Sequence, residues 1–270
     1  MKMQSKITPT KKTLSPYKIL ILGGTSDARR LATSLINSQI AVIYSIAGLV
    51  RTPDLACQIH IGGFSQYGGM QHYLKDQDIQ CVLDATHPFA VNISNKAQQA
   101  CSLCQTQYIR FERPQWNQYP NDKWTSIIQW SEVFGALKHQ KNVFLTAGQT
   151  PHDILVKLSK QTKNLFLRTA VQPKEALPNN VNWIKAIGPF DQVSEQQWLK
   201  DNQIDLIISK NSGGQATYGK IAAARELGID VIMFQRPAIL HVPSDQSFAF
   251  NTLDQCIEHI CNLNGSIYEH

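Results

Sequence analysis

Two hydrophobic patterns alternate along the chain. Short unbroken apolar runs are followed by longer segments in which apolar residues recur every three or four positions. The first run, Ile19–Leu22, ends on Gly23 and Gly24 and leads into such a segment from Ala28 to Ile36. Unbroken runs of this length predict buried strands, and the longer spacing predicts amphipathic helices. Further strands are predicted around residues 41–46, 59–61, 81–84, 108–111, 143–146, 165–168, 183–187, 205–210 and 230–235.

Helical segments separate most of these strands. That order predicts βαβ crossovers, and therefore largely parallel sheets with helices on both faces. At 270 residues the chain is long enough for two such sheets. The expected fold class is α/β, with two doubly wound, mainly parallel sheets and an active-site cleft between them.

Composition indicates where the chain divides. Residues 1–16 form a polar leader with four lysines and no acidic residue, which predicts a flexible segment. The polar stretch 117–123 contains Pro120 and is the predicted domain boundary. We expect an N-terminal domain over residues 17–122 and a C-terminal domain over residues 123–270, the latter ending in a closing helix.

Charge and cysteine content narrow the classes of function. Four of the net +6 charges belong to the leader lysines, and the rest of the chain has no lysine-arginine run, so nucleic-acid binding is not expected. An anionic small ligand is compatible with this charge. No apolar run approaches the about 20 residues of a membrane span, so we expect no membrane association and a cytoplasmic protein. The six cysteines lie mostly in apolar stretches, which predicts small buried side chains and no metal site.

The turn after the first strand is the first candidate site. Gly23 and Gly24 permit a tight turn, after which the free N–H groups of the next helix point toward the crevice, where phosphate binds favourably. The same turn also occurs in strand-to-helix connections that bind no ligand. Thr25 or the following serine suits the helix N-cap, and Asp27 suits the helix dipole with or without a ligand.

Three more predicted strands are followed by residues that could bind a ligand or take part in catalysis. Arg51 follows the second strand, where an NAD enzyme carries an acid, so arginine favours the 2′-phosphate of NADPH; the alternative is a surface arginine. Gly62 ends the third strand. Asp84, Thr86 and His87 follow the fourth, at the edge where open α/β sheets bind ligands, although a lone histidine is often structural.

Cations lie near two later strand ends. We expect Arg110 and Arg113 to project together from one face of a strand. Paired arginines suit the binding of a carboxylate ligand; the alternative is that they contact neighbouring acidic residues or solvent. The loop after the strand at 205–210 joins a cation to small polar donors and glycine, which suits an anion cradle or an ordinary loop. Its candidate residues are Lys210, Asn211, Ser212 and Gly213.

Several motifs together resemble the precorrin-6A reductase family of corrinoid biosynthesis, including its cobalt-precorrin-6A counterpart. They span roughly Lys18 to Pro237, in the order found in the family. These motifs are ILGGTSDARRLA (21–32), GGF (62–64), DATHPFA (84–90), RFERPQW (110–116), IGPF (187–190) and SKNSGG (209–214).

The resemblance implies two Rossmann-like domains and an NADPH-dependent reductase that saturates one double bond of the tetrapyrrole precorrin-6A, or its cobalt form, to give precorrin-6B. It implies cofactor binding at Gly23, Gly24, Thr25, Asp27, Arg51, Gly62 and Asp84. The catalytic positions are Thr86 and His87, which would lie near the nicotinamide, and Tyr218. Substrate-binding positions are Arg110, Arg113, Lys210, Asn211, Ser212, Gly213 and Arg236.

Two positions depart from the family pattern. Leu49 and Val50 intervene before Arg51, where the family often has arginine directly after Ala-Gly, and Ile187 replaces a glutamine that is common before Gly-Pro-Phe. Neither change removes a group that hydride transfer strictly needs.

The implied mechanism leaves alternatives open. The arginines and Lys210 would clamp the substrate's anionic arms, Phe89 or Tyr218 would contact the macrocycle, and the proton would come from His87, Tyr218 or water. Two other functions fit the residues: an NADPH reductase of another conjugated or imine substrate, and a non-catalytic dinucleotide-sensing protein. A monomer or homodimer is expected.

Overall fold

A computed structural model describes residues 17–48, 53–137, 142–239 and 246–268. In chain order the strands are β1 (Lys18–Leu22), β2 (Ala41–Ile46), β3 (Gln58–Ile61), β4 (Cys81–Asp84), β5 (Gln107–Phe111), β6 (Trp124–Ile127), β7 (Asn142–Thr146), β8 (Asn164–Thr169), β9 (Val181–Lys185), β10 (Leu206–Lys210), β11 (Asp230–Phe234) and β12 (Ser247–Phe250). The helices are α1 (Ser26–Asn37), α2 (Met70–Asp76), α3 (Val91–Cys104), α4 (Trp130–Ala136), α5 (His152–Ser159), α6 (Gln192–Asp201), α7 (Gly219–Leu227) and α8 (Leu253–Tyr268).

These strands form two six-stranded sheets. The first has the order β12-β5-β4-β1-β2-β3 and the second the order β6-β11-β10-β7-β8-β9. Every neighbouring pair of strands in both sheets is parallel. The predicted α/β fold with two parallel, Rossmann-like sheets is therefore confirmed.

Alternation along β1 explains the layers of the first half. Ile19 and Ile21 belong to one core cluster, with α1 and α8, whereas Leu20 and Leu22 belong to another, with α2 and α3. Successive strand residues point to opposite sheet faces, so an unbroken apolar run is the signature of a strand covered on both sides. The same two-sided burial holds β7 and β10 at the centre of the second sheet.

The end of the described chain returns to the first sheet. β12 pairs with β5, and Cys256 and Ile260 of α8 are fully buried in the core that contains α1. The C-terminal domain predicted over residues 123–270 therefore needs a correction, because β12 and α8 are parts of the N-terminal half. Apolar spacing predicted the closing helix but carries no information about which sheet its apolar face contacts.

The carboxyl edges of the two sheets meet. Lys210, the last residue of β10, has its ammonium 5.2 Å from the ring centroid of Phe89, which follows β4 in the first half. Within the described ranges, none of the helices has the length and hydrophobicity needed to span a membrane.

Candidate active site

A cavity of about 840 Å³ opens at the carboxyl edge of the first sheet. Residues at or just after the ends of β1, β2, β3 and β4 line it, together with the start of α2 and one face of α3. Its size is typical of small-molecule and cofactor sites. The lining residues that carry the argument below are Gly23, Gly24, Gly62, Thr86, His87 and Lys96.

The first glycine turn has a geometry that other residues would disrupt. A Cβ at Gly23 would overlap the ring of Tyr44, and Gly24 has a φ of +100°, where side chains are strained. The Gly24 N–H donates to the Tyr44 hydroxyl at 3.2 Å, and the Gly23 N–H donates to the Ser45 carbonyl at 2.8 Å. Tyr44 on β2 therefore fixes the turn that lines the cavity.

Thr25 and Asp27 support this turn from behind. The Thr25 hydroxyl accepts from the Ala28 N–H at 3.0 Å and donates to the Ala85 carbonyl at 2.9 Å, so it caps α1 and joins it to the end of β4. The Asp27 carboxylate pairs with Nε of Arg113 at 3.2 Å. Both residues were predicted to bind the dinucleotide, and neither is among the residues that line the cavity.

Asp84 lies beneath the cavity in a buried network. Its carboxylate accepts from the Thr86 hydroxyl at 2.7 Å, the Thr86 N–H at 3.1 Å and the Tyr108 hydroxyl at 2.8 Å, and pairs with Arg110 at 2.6 Å. Arg110 also donates to the hydroxyls of Thr86 and Ser94. A buried carboxylate requires such donors, so Asp84 and Arg110 hold Thr86 in place instead of facing a ligand.

Arg110 and Arg113 do not project together. Arg110 lies in β5, which ends at Phe111, and Arg113 lies beyond the strand. Residues three apart along a strand point to opposite faces in any case, so the expected pairing on one face is wrong. Arg113 instead reaches Asp27, and its Nη2 is buried without a hydrogen-bond partner.

His87 lines the cavity as a neutral imidazole. Burial lowers its pKa to about 3, assisted by the positive charges of Arg113, Lys210, Arg236 and Arg110. Its Nδ1 accepts from the Phe89 N–H at 3.3 Å, which assigns the ring proton to Nε2. The side chain therefore offers an N–H donor, and no imidazolium at neutral pH.

Lys210 is the cation of the second half that faces this region. Burial lowers the pKa of its ammonium, which lies against the Phe89 ring. Among the residues that the structure describes, the ammonium has neither an ion pair nor a hydrogen-bond acceptor. A buried ammonium without a partner is costly, so this position favours an anionic ligand.

The other predicted substrate-binding residues contact the protein itself. The Asn211 side chain bonds to the backbone of Trp116, and the Ser212 hydroxyl lies 3.2 Å from that of Thr217. Gly213 approaches Pro114, and Arg236 donates to backbone carbonyls. These groups hold two loops together, which a local reading of the loop sequence cannot show.

Tyr218 is separated from the cavity. Its hydroxyl accepts from Arg225 at 2.7 Å, and its ring packs in the core of the second half, 5.6 Å from the ring of Trp116. Arg225 in turn pairs with Asp122 at 2.9 Å. Tyr218 is thus part of a structural network at the start of α7, in contrast to its predicted catalytic position. Arg51, the predicted contact of the 2′-phosphate, lies outside the described residues.

Lys96 and Tyr44 are site residues that the sequence reading missed. Lys96 is the one fixed charge among the described residues that line the cavity. Ala90, the residue before α3, and Ile93 and Lys96 within α3 are spaced by three, which places them on one side of the helix, and this periodicity was available in the sequence. Tyr44 gave no signal, because it sits inside an apolar strand.

A second cavity lies at the other end of the same sheet edge. This open groove of about 880 Å³ runs between the segment after β5 and helix α8. Its wall carries two carboxylates, Glu112 and Glu258, and two guanidinium groups, Arg113 and Arg236, so the lining has no excess positive charge to attract an anionic ligand. The cavity at the glycine turns is therefore the candidate active site.

Comparison with known proteins identifies the family. A family model described as precorrin-6x reductase CbiJ/CobK matches residues 18–261. A precorrin-6A reductase from Sinorhizobium sp is 39% identical over 230 residues, covering 84% of this chain and 88% of that protein. One from Mycobacterium tuberculosis H37Rv is 34% identical over 228 residues, with 82% and 90% covered.

More distant relatives and a solved structure agree. A cobalt-precorrin-6A reductase from Priestia megaterium is 26% identical over 266 residues, covering 92% of this chain and all of that protein. The solved structure "CobK precorrin-6A reductase" has a TM-score of 0.82 at 30% identity and covers 91% of this chain and 96% of its own. This chain belongs to the precorrin-6x reductase family CbiJ/CobK.

Proposed function

We propose that this protein reduces precorrin-6A to precorrin-6B in cobalamin biosynthesis, using NADPH. Family membership supports the reaction. The single observation that carries the assignment to this site is that two features lie close together. One is the glycine-lined cavity of the first half, and the other is the Lys210 ammonium, which the second half places against Phe89, a residue that lies in the chain between the lining residues His87 and Ala90.

The residues present fit a nicotinamide dinucleotide. Gly23 leaves no room for a Cβ beside Tyr44, so the turn keeps its backbone bare, as suits the close approach of a pyrophosphate. Apolar side chains such as Ile46 and Met70 line the walls, and Lys96 supplies a positive charge. When bound, the cofactor supplies a hydride to an electron-poor carbon of the macrocycle.

The chain's own residues then bind and orient. The Lys210 ammonium pairs with a carboxylate of the tetrapyrrole, and Phe89 contacts the macrocycle. The neutral His87 donates a hydrogen bond from Nε2, while the buried network of Asp84 and Arg110 holds Thr86 in place. Reduction of the double bond needs one hydride and one proton. Because His87 carries no dissociable imidazolium proton at neutral pH, we assign the proton to water.

The metal-free tetrapyrrole is the proposed substrate. The precorrin-6A reductases from Sinorhizobium and Mycobacterium share 39% and 34% of aligned residues with this chain, against 26% for the cobalt-precorrin-6A reductase from Priestia megaterium. This difference supports precorrin-6A over its cobalt form.

A direct assay tests this function. Purified protein is mixed without oxygen with precorrin-6A and either NADPH or NADH, and both the tetrapyrrole and the nicotinamide absorbance are followed. We expect stoichiometric oxidation of NADPH and a higher kcat/KM with NADPH than with NADH. Tight NADPH binding without turnover would contradict the reductase function, and faster turnover of cobalt-precorrin-6A would reverse the choice of substrate.

Replacing Lys210 tests the binding of the tetrapyrrole. For Lys210→Met we expect a rise in the KM for precorrin-6A of about tenfold, because a desolvated charge pair is lost, with little change in the Kd for NADPH. Lys157→Met is the matched control, since Lys157 is 61% exposed on α5. A larger effect on NADPH than on the tetrapyrrole would mean that the two ligands are assigned to the wrong halves.

A further inference from the structure

One arginine joins the two halves of the molecule through backbone carbonyls. Arg236, just after β11, donates from Nε to the Asn211 carbonyl at 3.0 Å and from Nη2 to the Ser212 carbonyl at 3.1 Å. The same side chain donates from Nη1 to the Arg113 carbonyl at 2.7 Å and from Nη2 to the Pro114 carbonyl at 3.1 Å. It therefore joins the loop after β10 to the segment that leaves β5. Only 6% of the side chain is exposed.

Asn211 makes a second set of bonds across the same junction. Its Oδ1 accepts from the Trp116 N–H at 2.8 Å, and its Nδ2 donates to the Trp116 carbonyl at 3.0 Å. The Asn211 side-chain amide thus bonds to both the N–H and the carbonyl of Trp116, as a neighbouring strand would. The backbone hydrogen bonds of Trp116 are therefore satisfied by the loop of the other half.

Gly213 brings the loop and the segment into direct contact. It has a φ of +70°, and a Cβ there would overlap the Pro114 carbonyl oxygen. A Cβ at the next residue, Gly214, would lie 2.7 Å from Nη1 of Arg113. We call the contacts of Arg236, Asn211 and Gly213 with residues 113–116 the clasp.

The clasp reaches both parts of the candidate site. On one side Lys210 immediately precedes Asn211, so fixing the loop fixes the ammonium against Phe89. On the other side Arg113 pairs with Asp27, which lies in the first turn of α1 behind the glycine turn. An unbroken series of contacts thus connects the cofactor cavity with the cation of the second half.

We propose that Arg236 is a positioning residue, which through the clasp sets the distance between the cofactor cavity and the ligand held by Lys210. The proposal rests on the proposed function. Hydride transfer depends steeply on the separation of donor and acceptor carbons, so an arginine that contacts neither ligand controls the rate of the chemical step. The guanidinium of Arg236 donates to four backbone carbonyls, and the Glu112 carboxylate lies 3.8 Å from its Nη1, so the position requires a planar, forked guanidinium.

The test uses Arg236→Gln and Gly213→Ala in the full-length protein. For both we expect single-turnover hydride transfer from NADPH to precorrin-6A to slow by about tenfold or more, while the Kd for NADPH changes by less than about twofold. The kinetic isotope effect with deuterated NADPH is expected to rise, because the chemical step becomes more rate-limiting. Rates are normalised to the fraction of protein that binds NADPH, so that simple loss of folded protein does not contribute.

Two matched variants control for the substitutions themselves. Arg30→Gln removes an exposed arginine of α1, and Gly135→Ala adds a Cβ in α4 where no atom lies within 4 Å. Both are expected to keep the parent rate. A normal hydride-transfer rate in Arg236→Gln would overturn the proposal. So would a raised KM for precorrin-6A with unchanged kcat, because that pattern means that Arg236 binds the substrate directly.

Amide hydrogen exchange gives a readout that does not depend on turnover. In Arg236→Gln we expect exchange in residues 112–118 and 211–217 to accelerate by about tenfold or more, with β1 and β7 still protected. Unchanged exchange in these segments would overturn the clasp. If the parent protein fails to reduce precorrin-6A, the proposed function fails, and the exchange experiment still decides whether the clasp exists.

Discussion

His87 shows how a single residue is held in one protonation state by its surroundings. Burial and four nearby cations depress the pKa of its imidazole to about 3, and its Nδ1 accepts a backbone N–H from Phe89. A carboxylate bound beside those cations would cancel part of their repulsion but not the effect of burial, which is the larger cause of the low pKa of His87. The His87 imidazole is thus already neutral, with its proton on Nε2, before the substrate binds.

The depressed pKa makes a prediction about stability. Between about pH 6.5 and pH 3 the unfolded chain binds a proton at this histidine and the folded protein does not, so stability falls as the pH falls through that window. From pH 7 to pH 4.5 the loss from His87 alone is about 2 to 3 kcal/mol. Urea unfolding of the parent and of His87→Gln at both pH values measures it.

We expect His87→Gln to lose less stability on acidification than the parent. His60 and His259, whose pKa values burial also lowers, are retained in both proteins and cancel in the comparison. Equal losses in the two proteins would show that folding does not keep this imidazole neutral.

At the scale of elements, a buried ion pair attaches α6 to the second sheet. Arg168 on β8 donates from one Nη to both carboxylate oxygens of Glu195 on α6, at 2.8 and 2.9 Å. Its guanidinium lies over the rings of Phe144 and Phe190, 4.4 and 4.5 Å from their centroids. Glu195 is only 4% exposed, so each charge depends on the other.

Replacing only one residue of this ion pair should lower the free energy of unfolding more than replacing both residues with apolar ones. We expect Arg168→Met to lower the free energy of unfolding by about 3 to 5 kcal/mol, because it leaves a buried carboxylate without its partner. Arg168→Met combined with Glu195→Leu should recover a substantial part of that loss. Urea unfolding of the two single variants and the double variant measures the coupling, and additive losses would contradict it.

Local pattern was sufficient for the elements that are buried on both faces. Strands such as β1 and β10 were predicted because every residue in their centres is apolar and buried. β6 and β12 were missed because they are short edge strands with few buried residues. Their assignment depends on pairing with β11 and β5, which are distant in sequence.

The residues of the candidate site also fall into those that could be predicted from local sequence and those that could not. The glycine turn and His87 could be predicted, because strand ends in parallel sheets gather at one edge whatever the rest of the chain does. The partners of Arg236 and Asn211 could not, since those residues bond to a segment that lies about 100 residues earlier in the chain. A cation in a loop has the same local signature whether it binds a substrate or a carbonyl of its own chain.

At the scale of the whole molecule, the first half depends on a distant part of the chain for its stability. β6 begins the second half and lies at the edge of the second sheet, whereas β12 and α8 return to the first sheet. The α8 residues Cys256 and Ile260 are completely buried against the layer that contains α1, the helix that starts at the glycine turn. The candidate site therefore depends on α8, which lies far from α1 in the sequence.

Ile260→Ala tests this dependence. Ile260 is fully buried, so the substitution leaves a cavity, and we expect a loss of about 2 to 5 kcal/mol in unfolding free energy. Amide exchange should accelerate in β1, β4 and β5 more than in β7 and β10, because the lost contacts belong to the first sheet. Leu158→Ala, at a fully buried position on α5 of the second half, is the matched substitution and should give the reverse distribution.

Cofactor binding should separate these two variants further. A ligand that binds only the folded first half stabilises that half in proportion to its concentration over Kd, so saturating NADPH should restore slow exchange in β1 and β4 of Ile260→Ala. The same addition should do less for β7 and β10 of Leu158→Ala, because those strands line no part of the cavity. Equal protection of both sheets by NADPH would mean that the halves unfold as one cooperative unit. In that case α8 stabilises the whole molecule instead of the first sheet alone.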